Sequence, residues 1–527
     1  MPNVTERCFE FFRSVGMTTM FGNPGSTEEP FLQNFPADFR YVLGLHEASV
    51  VGMATGYALA GDQAALVNLH TAAGMGNAMA AIINASHSKA PLIITAGQQH
   101  RAMEMIEPLL WGKQVEFVRP YVKWSYEPHR AVDVPAALVR AYHLAMSAPR
   151  GPVFVSVCMD GLDEECPATP PRVVAGVPSP DPSAIERIAQ TLRTSKRVAL
   201  IVGEELDAAE VWSSTIALAE RLKAAVFGPP ENFRVGFPTG HPQFQGFLPP
   251  AIQPLADRLA GFDALLVLGT RMFAYYPYAP GPFMPEGIKV HHVTTDPAEA
   301  ARAVAGDAVV GCSRRAVRML LDLIADDSGR ADAPRAPQPP TAEPSEPMTA
   351  AFVYKTLADR MPPRTVIVQE SLSSIAMTQK LIPLNEPGSY FTTSNGILGS
   401  ALPMAIGVRM AQPDRPVVCL LGDGAAQYSI QGLWTAAHQG LPVVFLVLDN
   451  SEYAILKAFG NFLKTPNVPG LDLGRIDFAG LAAGYGLTYH GVEHAGDLAD
   501  TLSAAFAAEG PILVHVPIDP KVPSLIG

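Results

Sequence analysis

Val417-Val418-Cys419-Leu420-Leu421-Gly422-Asp423-Gly424 and, further on, Leu441-Pro442-Val443-Val444-Phe445-Leu446-Val447-Leu448-Asp449-Asn450 are the stretches whose reading decides the fold. Each is a short continuous apolar run, the mark of a strand buried on both faces, and each ends in oxygen-bearing side chains. Residues 428–439 between them have helical character, so the unit reads strand–loop–helix–strand. Such a crossover makes the strands parallel and places their C-terminal ends on one sheet edge. Asp423 and Asn450 then converge. A carboxylate, an amide oxygen and a backbone carbonyl make a hard-oxygen site suited to Mg²⁺ (or Ca²⁺). The glycines around Asp423 let backbone approach a diphosphate closely.

The same pattern extends outward. Apolar runs at 18–22, 41–45, 64–69, 91–96 and 152–157 alternate with helical stretches at 48–60 and 76–88. A second block has strand-like runs at 198–203, 224–227, 264–269 and 289–294, and a third at 365–369, 417–421, 443–449 and 512–516. This alternation is the α/β signature of mostly parallel, doubly wound sheets covered by helices on both faces. Residues 167–182 and the Pro- and Ala-rich 326–347 read as linkers. Three domains are expected, at 1–178, 182–326 and 348–527, with 327–347 as the second linker; each is of ordinary domain size.

The 527 residues are 48% hydrophobic and 17% charged, which describes a globular chain with a large apolar interior. The net charge of −12 argues against nucleic acid or an anionic membrane as partner. The five cysteines have no metal or CxxC spacing and read as reduced thiols of a cytoplasmic protein. The N-terminus lacks the basic-then-apolar shape of a signal peptide, and no apolar run is long enough to span a bilayer. The middle block reads Val202-Gly203-Glu204-Glu205 after its first strand, without a dinucleotide fingerprint, and no P-loop occurs in the chain.

Three further residues stand where sheet edges meet ligands. Ser26, in Gly22-Asn23-Pro24-Gly25-Ser26, follows a strand; with Glu29 it forms an expected capping box, and its hydroxyl is also placed to donate to a substrate carboxylate. Glu47 opens a helix too apolar to face water, so it is either a first-turn carboxylate favoured by the helix dipole or a buried one with a specific partner such as a ring nitrogen. His70 follows a strand and precedes a small-residue stretch, Thr71 to Asn77, expected to be a loop where a ligand meets backbone. Taken alone, it reads as readily as a packed histidine.

Phe21–Ser26, His46-Glu47, His70 with Gly74 to Asn77, Gly396 to Pro403, Asp423 and Asn450 together resemble the motifs of the thiamine-diphosphate (ThDP)-dependent 2-oxo acid decarboxylases. Their spacing along essentially the whole chain is closest to that of the benzoylformate decarboxylases. The resemblance implies a pyrimidine-binding, a central and a diphosphate-binding domain, in that order. It also implies a coenzyme shared between the first domain of one subunit and the last domain of its partner, hence at least a homodimer and usually a homotetramer. By that likeness Glu47 hydrogen-bonds the aminopyrimidine ring, Asn77 also binds the coenzyme, and the thiazolium serves as electron sink for CO₂ loss. Leu398 matches the residue that bends the coenzyme, next to Gly396. Asp423, Asn450 and the carbonyl of Glu452 match the metal ligands, and Leu372, Ser373, Gly424, Ala425 and Tyr453 line the diphosphate and thiazolium. Ser26 and His70 face the substrate, with Leu372, Ile455 and Phe459 in its pocket.

Two departures from the family pattern stand out. Aligning the chain on Phe273 and Pro280-Gly281 puts Tyr276 where the aryl-specific enzymes have a second histidine, and no histidine lies between His241 and His291. A phenol donates a hydrogen bond but is a poor proton shuttle at neutral pH. Leu372 and Ile455 are bulkier than an open aryl pocket wants, which points toward smaller or aliphatic 2-oxo acids or aldehydes. The implied activity is non-oxidative decarboxylation of a 2-oxo acid to an aldehyde, with carboligation as a side reaction. An acetolactate-synthase-like transferase is the alternative; that enzyme usually binds FAD in its central domain, where this chain has no clear flavin signature.

Overall fold

The computed structural model describes residues 1–170, 172–174, 177–325 and 331–525. Three sheets, each of six parallel strands, follow one another along the chain. The first holds β1 (Thr19–Gly22), β2 (Arg40–Leu43), β3 (Ala65–Leu69), β4 (Leu92–Gln98), β5 (Ser125–Tyr126) and β6 (Val153–Cys158), ordered β2-β1-β3-β4-β6-β5. The second holds β7 (Val198–Val202), β8 (Ala225–Gly228), β9 (Phe244–Phe247), β10 (Ala264–Leu268), β11 (Lys289–Thr294) and β12 (Asp307–Val310), ordered β12-β11-β10-β7-β8-β9. The third holds β13 (Val366–Glu370), β14 (Tyr390–Thr392), β15 (Val417–Gly422), β16 (Val443–Asp449), β17 (Thr488–Gly491) and β18 (Ile512–Pro517), ordered β14-β13-β15-β16-β18-β17. Every pairing between these strands is parallel, with β15 registered on β16 from Val417–Val443 to Gly422–Leu448. The strands expected from apolar runs form the sheet interiors and one edge, β2. The edge strands β5, β9, β12, β14 and β17 carry no such run, because an edge strand needs burial on only part of its surface. Part of the second expected linker, residues 326–330, lies outside the described residues.

Three local expectations are corrected. The stretch from Thr71 to Asn77 is not a loop; it forms the first turns of the Thr71–His87 helix, for which His70 is the N-cap residue. Its Gly74 allows close approach rather than flexibility, since a Cβ there would lie 3.1 Å from Glu47 Oε1. The helix expected at 428–439 is Gly432–His438, and a separate short helix, Asp423–Gln427, starts directly after β15, so Asp423 opens a helix rather than sitting in a loop. The Ser26–Glu29 capping box does not form: the Glu29–Leu32 helix has no side-chain cap, and the buried Glu28 turns inward to accept the Gly25 N–H.

The Glu47–Gly61 helix is apolar all round because it is covered on all sides. It lies between the first sheet and the Ala401–Ala411 helix of the third block, within one hydrophobic core that spans both. The two helices touch backbone to backbone. A Cβ on Gly56 would fall 2.1 Å from the Met404 carbonyl oxygen, and one on Gly407 only 1.8 Å from that of Met53. The central block joins the first through Lys89, whose ammonium lies 3.3 Å from Asp296 Oδ2. Lys89 also attracts the buried Glu204, whose carboxyl is pushed up to about 7 by burial, offset in part by Lys89. Among the described residues no helix is long and apolar enough to cross a membrane.

Gly407→Ala is expected to destabilise the protein by about 3 kcal/mol through overpacking, read as a lowered thermal midpoint in calorimetry; an unchanged midpoint would show that the helices yield. Glu204 binds its proton more tightly folded than unfolded, so its contribution to stability is full below its unfolded pKa of about 4.3 and is lost as pH rises through about 7. Glu204→Gln should therefore leave denaturant stability near that of the parent at pH 4.5 and exceed it by roughly 2 kcal/mol at pH 8.5; equal stability at both pH values would contradict this.

Candidate active site

The first half of the site is built at the C-terminal edge of the first sheet. Glu47, the first residue of its helix and 6% exposed, is held by two amides: Asn23 Nδ2 donates to Oε1 at 3.3 Å and Asn77 Nδ2 to Oε2 at 3.0 Å. The side chain of His46 caps the helix through the Ala48 N–H at 3.2 Å. Glu47 is thus buried with specific partners, the second of its two expected readings. His70 stands beside it at the end of β3, with Nδ1 2.8 Å from Glu28 Oε2. Glu28 is 1% exposed and accepts the backbone N–H groups of Gly25, Thr71 and Gly97 and the Thr27 hydroxyl. So many donors stabilise a buried carboxylate and lock the imidazole against it. Ser26 lies exposed on the turn between β1 and Glu28.

Sequence alone does not mark Glu28 and Asn23 as site residues. Both lie in or next to the turn from Asn23 to Ser26, but Glu28 looks like any acidic residue at a helix start. Only the fold shows that it points inward.

The second half lies at the C-terminal edge of the third sheet. Asp423 is buried; its Oδ1 accepts the Gly424 N–H at 2.8 Å, and its Oδ2 has no partner. Burial raises its pKa, and the adjacent Asp449 carboxylate adds to the rise. Burial also opposes ionisation of Asp449, yet His515 Nε2 at 2.9 Å and the Ser451 N–H and hydroxyl hold it below the usual carboxylate range. A pair of abutting carboxylates with an orphaned buried oxygen is what a divalent cation would relieve. Asn450 follows directly; its Oδ1 accepts the Glu452 N–H at 3.3 Å. The Glu452 side chain pairs with Lys457, so its carboxylate is engaged away from Asp423. Gly424 admits no side chain: a Cβ would meet the Tyr453 ring at 2.5 Å, leaving bare backbone beside Ala425 at the start of the Asp423–Gln427 helix.

Around this half, Leu372 and Ser373 form the short turn after β13, half-buried. Leu398 sits half-buried in the loop after β14, beside Gly396 at φ 66°. Ile455 and Phe459 lie on the Ala454–Leu463 helix, and Tyr276, 67% exposed, stacks on Phe459 with ring centroids 4.7 Å apart. The central block thereby supplies an aromatic ring to the third. Within the chain the expected residues fall into two groups, one in the first block around Glu47 and His70 and one in the third block around Asp423, with Tyr276 reaching the third block at Phe459. No hydrogen bond or ion pair among the described residues joins Glu47, Asn77 or His70 to Asp423, Asn450 or Glu452.

Two half-sites on parallel sheet edges, one with a buried carboxylate held by amides and one with a bare glycine turn beside an unsatisfied aspartate, are the layout of a ThDP enzyme. The chain matches the thiamine pyrophosphate enzyme N-terminal TPP binding domain over residues 2–116, the central domain over 185–320 and the C-terminal TPP binding domain over 373–516. It belongs to the thiamine pyrophosphate enzyme family. It is 41% identical to a benzoylformate decarboxylase of Pseudomonas aeruginosa, covering 98% of this chain and 99% of that protein. The crystal structure of benzoylformate decarboxylase from Polynucleobacter necessarius superposes with a TM-score of 0.97 at 39% identity, covering 99% and 100% of the two chains. The Rhodococcus jostii ThDP-dependent 4-hydroxybenzoylformate decarboxylase gives 0.95 at 38%, with the same coverage. Acetolactate synthases are more distant relatives. The protein is a ThDP-dependent carboxy-lyase of the benzoylformate-decarboxylase-like kind, acting on a 2-oxo acid.

Glu28→Gln is expected to lower kcat by about 10- to 100-fold with the ThDP dissociation constant unchanged, because it frees the His70 ring without touching the coenzyme half-sites. Steady-state assays and calorimetry on the same preparation check this; a parental kcat would remove Glu28 from the machinery.

Proposed function

We propose that the protein decarboxylates a benzoylformate-like 2-oxo acid to the aldehyde, and that Asp423, Asn450 and the Glu452 carbonyl would hold a Mg²⁺ (or Ca²⁺) ion, which would neutralise the charge of the coenzyme diphosphate. The observation that carries this reading is the Tyr276–Phe459 pair, two rings in contact at a tilt of 34° between the central and third blocks, an aromatic wall suited to an aryl side chain. The names of the most similar relatives support the same substrate class. Leu372 and Ile455 narrow the pocket, so smaller and aliphatic 2-oxo acids enter as well. We take the domains to run 1–178, 182–326 and 348–527, a division supported by the family matches at 2–116, 185–320 and 373–516.

Bound between the half-sites, the coenzyme supplies the electron sink for CO₂ loss. The chain's own groups do the rest. Glu47, fixed by Asn23 and Asn77, would share one proton with the aminopyrimidine ring nitrogen, held between that nitrogen and a Glu47 carboxyl oxygen. Gly424, which admits no side chain, would let the diphosphate approach the backbone beside Ala425, with Ser373 and Tyr453 on its flank. Leu398, next to Gly396, presses the coenzyme into its bent form. Ser26 donates to the substrate carboxylate. His70 has Nδ1 engaged by Glu28, which leaves Nε2 for the proton transfers at the reacting carbon. Tyr276 donates a hydrogen bond and closes the pocket over the ring. Carboligation follows when an aldehyde takes the place of the proton.

The separation of the Glu47 and Asp423 groups supports a homodimer in which each chain completes its partner's site, and a homotetramer built from two such pairs. Met105, Ile106 and Leu109 are 92%, 71% and 86% exposed, an apolar surface that association would cover. The buried free thiols of Cys8, Cys158, Cys166 and Cys419 support a reducing, cytoplasmic setting. The acetolactate-synthase-like alternative is disfavoured by the central sheet. Its strand order reverses between β7 and β10, the crevice where α/β sheets bind nucleotides. There Glu205 accepts from Ser313 Oγ at 2.6 Å, Thr294 Oγ1 at 2.9 Å and the Thr295 N–H at 3.1 Å, so a carboxylate takes up the donors an anionic cofactor needs.

With ThDP and Mg²⁺ present and no flavin added, benzoylformate is expected to release CO₂ and benzaldehyde at the highest kcat/KM of a panel running from pyruvate through branched to aryl 2-oxo acids. Glu47→Gln should abolish turnover. Turnover of pyruvate above benzoylformate, or 2-hydroxy-3-oxo acids as the main product, would overturn this reading.

A further inference from the structure

The loop that carries Leu398 is held by groups that the reaction as described does not use. Asn395, Gly396 and Gly399 all have positive φ, 67°, 66° and 87°. Glycine adopts that region freely and asparagine tolerates it, so whatever fixes the loop must bind its backbone. Two buried side chains do so from opposite sides. From beneath, Glu370 at the end of β13 is fully buried and accepts the backbone N–H groups of Gly399, Ser400 and Ala401, the Ser400 contact at 2.9 Å. It thereby takes the free N–H groups at the start of the Ala401–Ala411 helix. From the other side, Asn84, 1% exposed, accepts the Ser394 N–H at 2.8 Å through Oδ1, which also lies 3.2 Å from Thr393 Oγ1. Inside the loop, Thr393 Oγ1 donates to the Ile397 carbonyl at 2.7 Å. Leu398 is thus fixed between two anchored segments.

Asn84 belongs to the first domain. It lies two turns after Asn77 on the Thr71–His87 helix, so both amides share one helix face. One amide orients Glu47; the other grips the coenzyme loop of the same chain.

We propose that Glu370 and Asn84 are positioning residues for the coenzyme: together they set the loop at 393–400, and so the placement of Leu398 against the bound ThDP. This rests on the reading that Leu398 props the coenzyme. The clamp acts on the thiazolium side and leaves the diphosphate anchor at Asp423 untouched. In Glu370→Gln one accepting oxygen becomes a donor facing N–H groups. In Asn84→Ala the second anchor disappears, whereas Asn84→Asp keeps an accepting oxygen at that place.

The test compares two probes on the coenzyme-free protein by titration calorimetry at fixed Mg²⁺: ThDP itself and inorganic pyrophosphate, which reads the diphosphate anchor alone. For Glu370→Gln and Asn84→Ala the ThDP dissociation constant is expected to rise at least about tenfold, with pyrophosphate binding within about twofold of the parent and Asn84→Asp recovering most of the loss. The proposal is overturned if ThDP affinity is unchanged in a folded variant, or if ThDP and pyrophosphate weaken together, which marks a purely structural role. If Glu370→Gln does not fold, the Asn84 pair decides alone. A parent protein that takes up pyrophosphate but not ThDP would instead sink the coenzyme reading on which the proposal rests.

Discussion

The backbone contact between the Glu47–Gly61 and Ala401–Ala411 helices is the constraint on which the rest depends. Gly56 and Gly407 let two helices from opposite ends of the chain meet without intervening side chains. Their approach fuses the first and third sheets into one apolar core. Burying a helix on every side is favourable only if its sequence is apolar all round, which is what this helix offers. Its first residue, Glu47, is carried inward with it. A carboxylate in that position must find donors, and Asn23 and Asn77 provide them.

Buried carboxylates recur, each for a different end. Glu28 is surrounded by backbone N–H groups and orients a histidine. Glu370 closes a helix N-terminus and stiffens a loop. Asp423 is left with an unpaired oxygen beside another acid, a state that suits a cation. The first two are internally satisfied and behave as fixed scaffold; the third is not, and the lack of a partner singles it out as a place for a ligand.

The central block works differently. Its switch-point crevice holds the chain's own carboxylate and is pinned to the first block by Lys89. To the third block it offers an aromatic residue, Tyr276, packed against Phe459, and the Phe233 carbonyl, which accepts the Thr392 N–H beside the loop at 393–400.

The interior strands and the order of the domains were legible in the amino-acid sequence, because short continuous apolar runs that alternate with helical stretches fit only strands buried on both faces. Glu47, His70, Asp423 and Asn450 were legible too, since each follows an apolar run at a sheet edge or opens a buried helix. The edge strands β5, β9, β12, β14 and β17 were not, being only two to four residues long. The helical state of Thr71 to Asn77 was hidden by Gly74 and Gly76, which disfavour a helix on their own; Gly74 is needed because the Glu47 side chain packs against it. Glu28, Asn84 and Glu370 look like unremarkable polar residues in one dimension. Their roles come from which backbone N–H groups the folded chain turns toward them, and that is a property of tertiary packing alone.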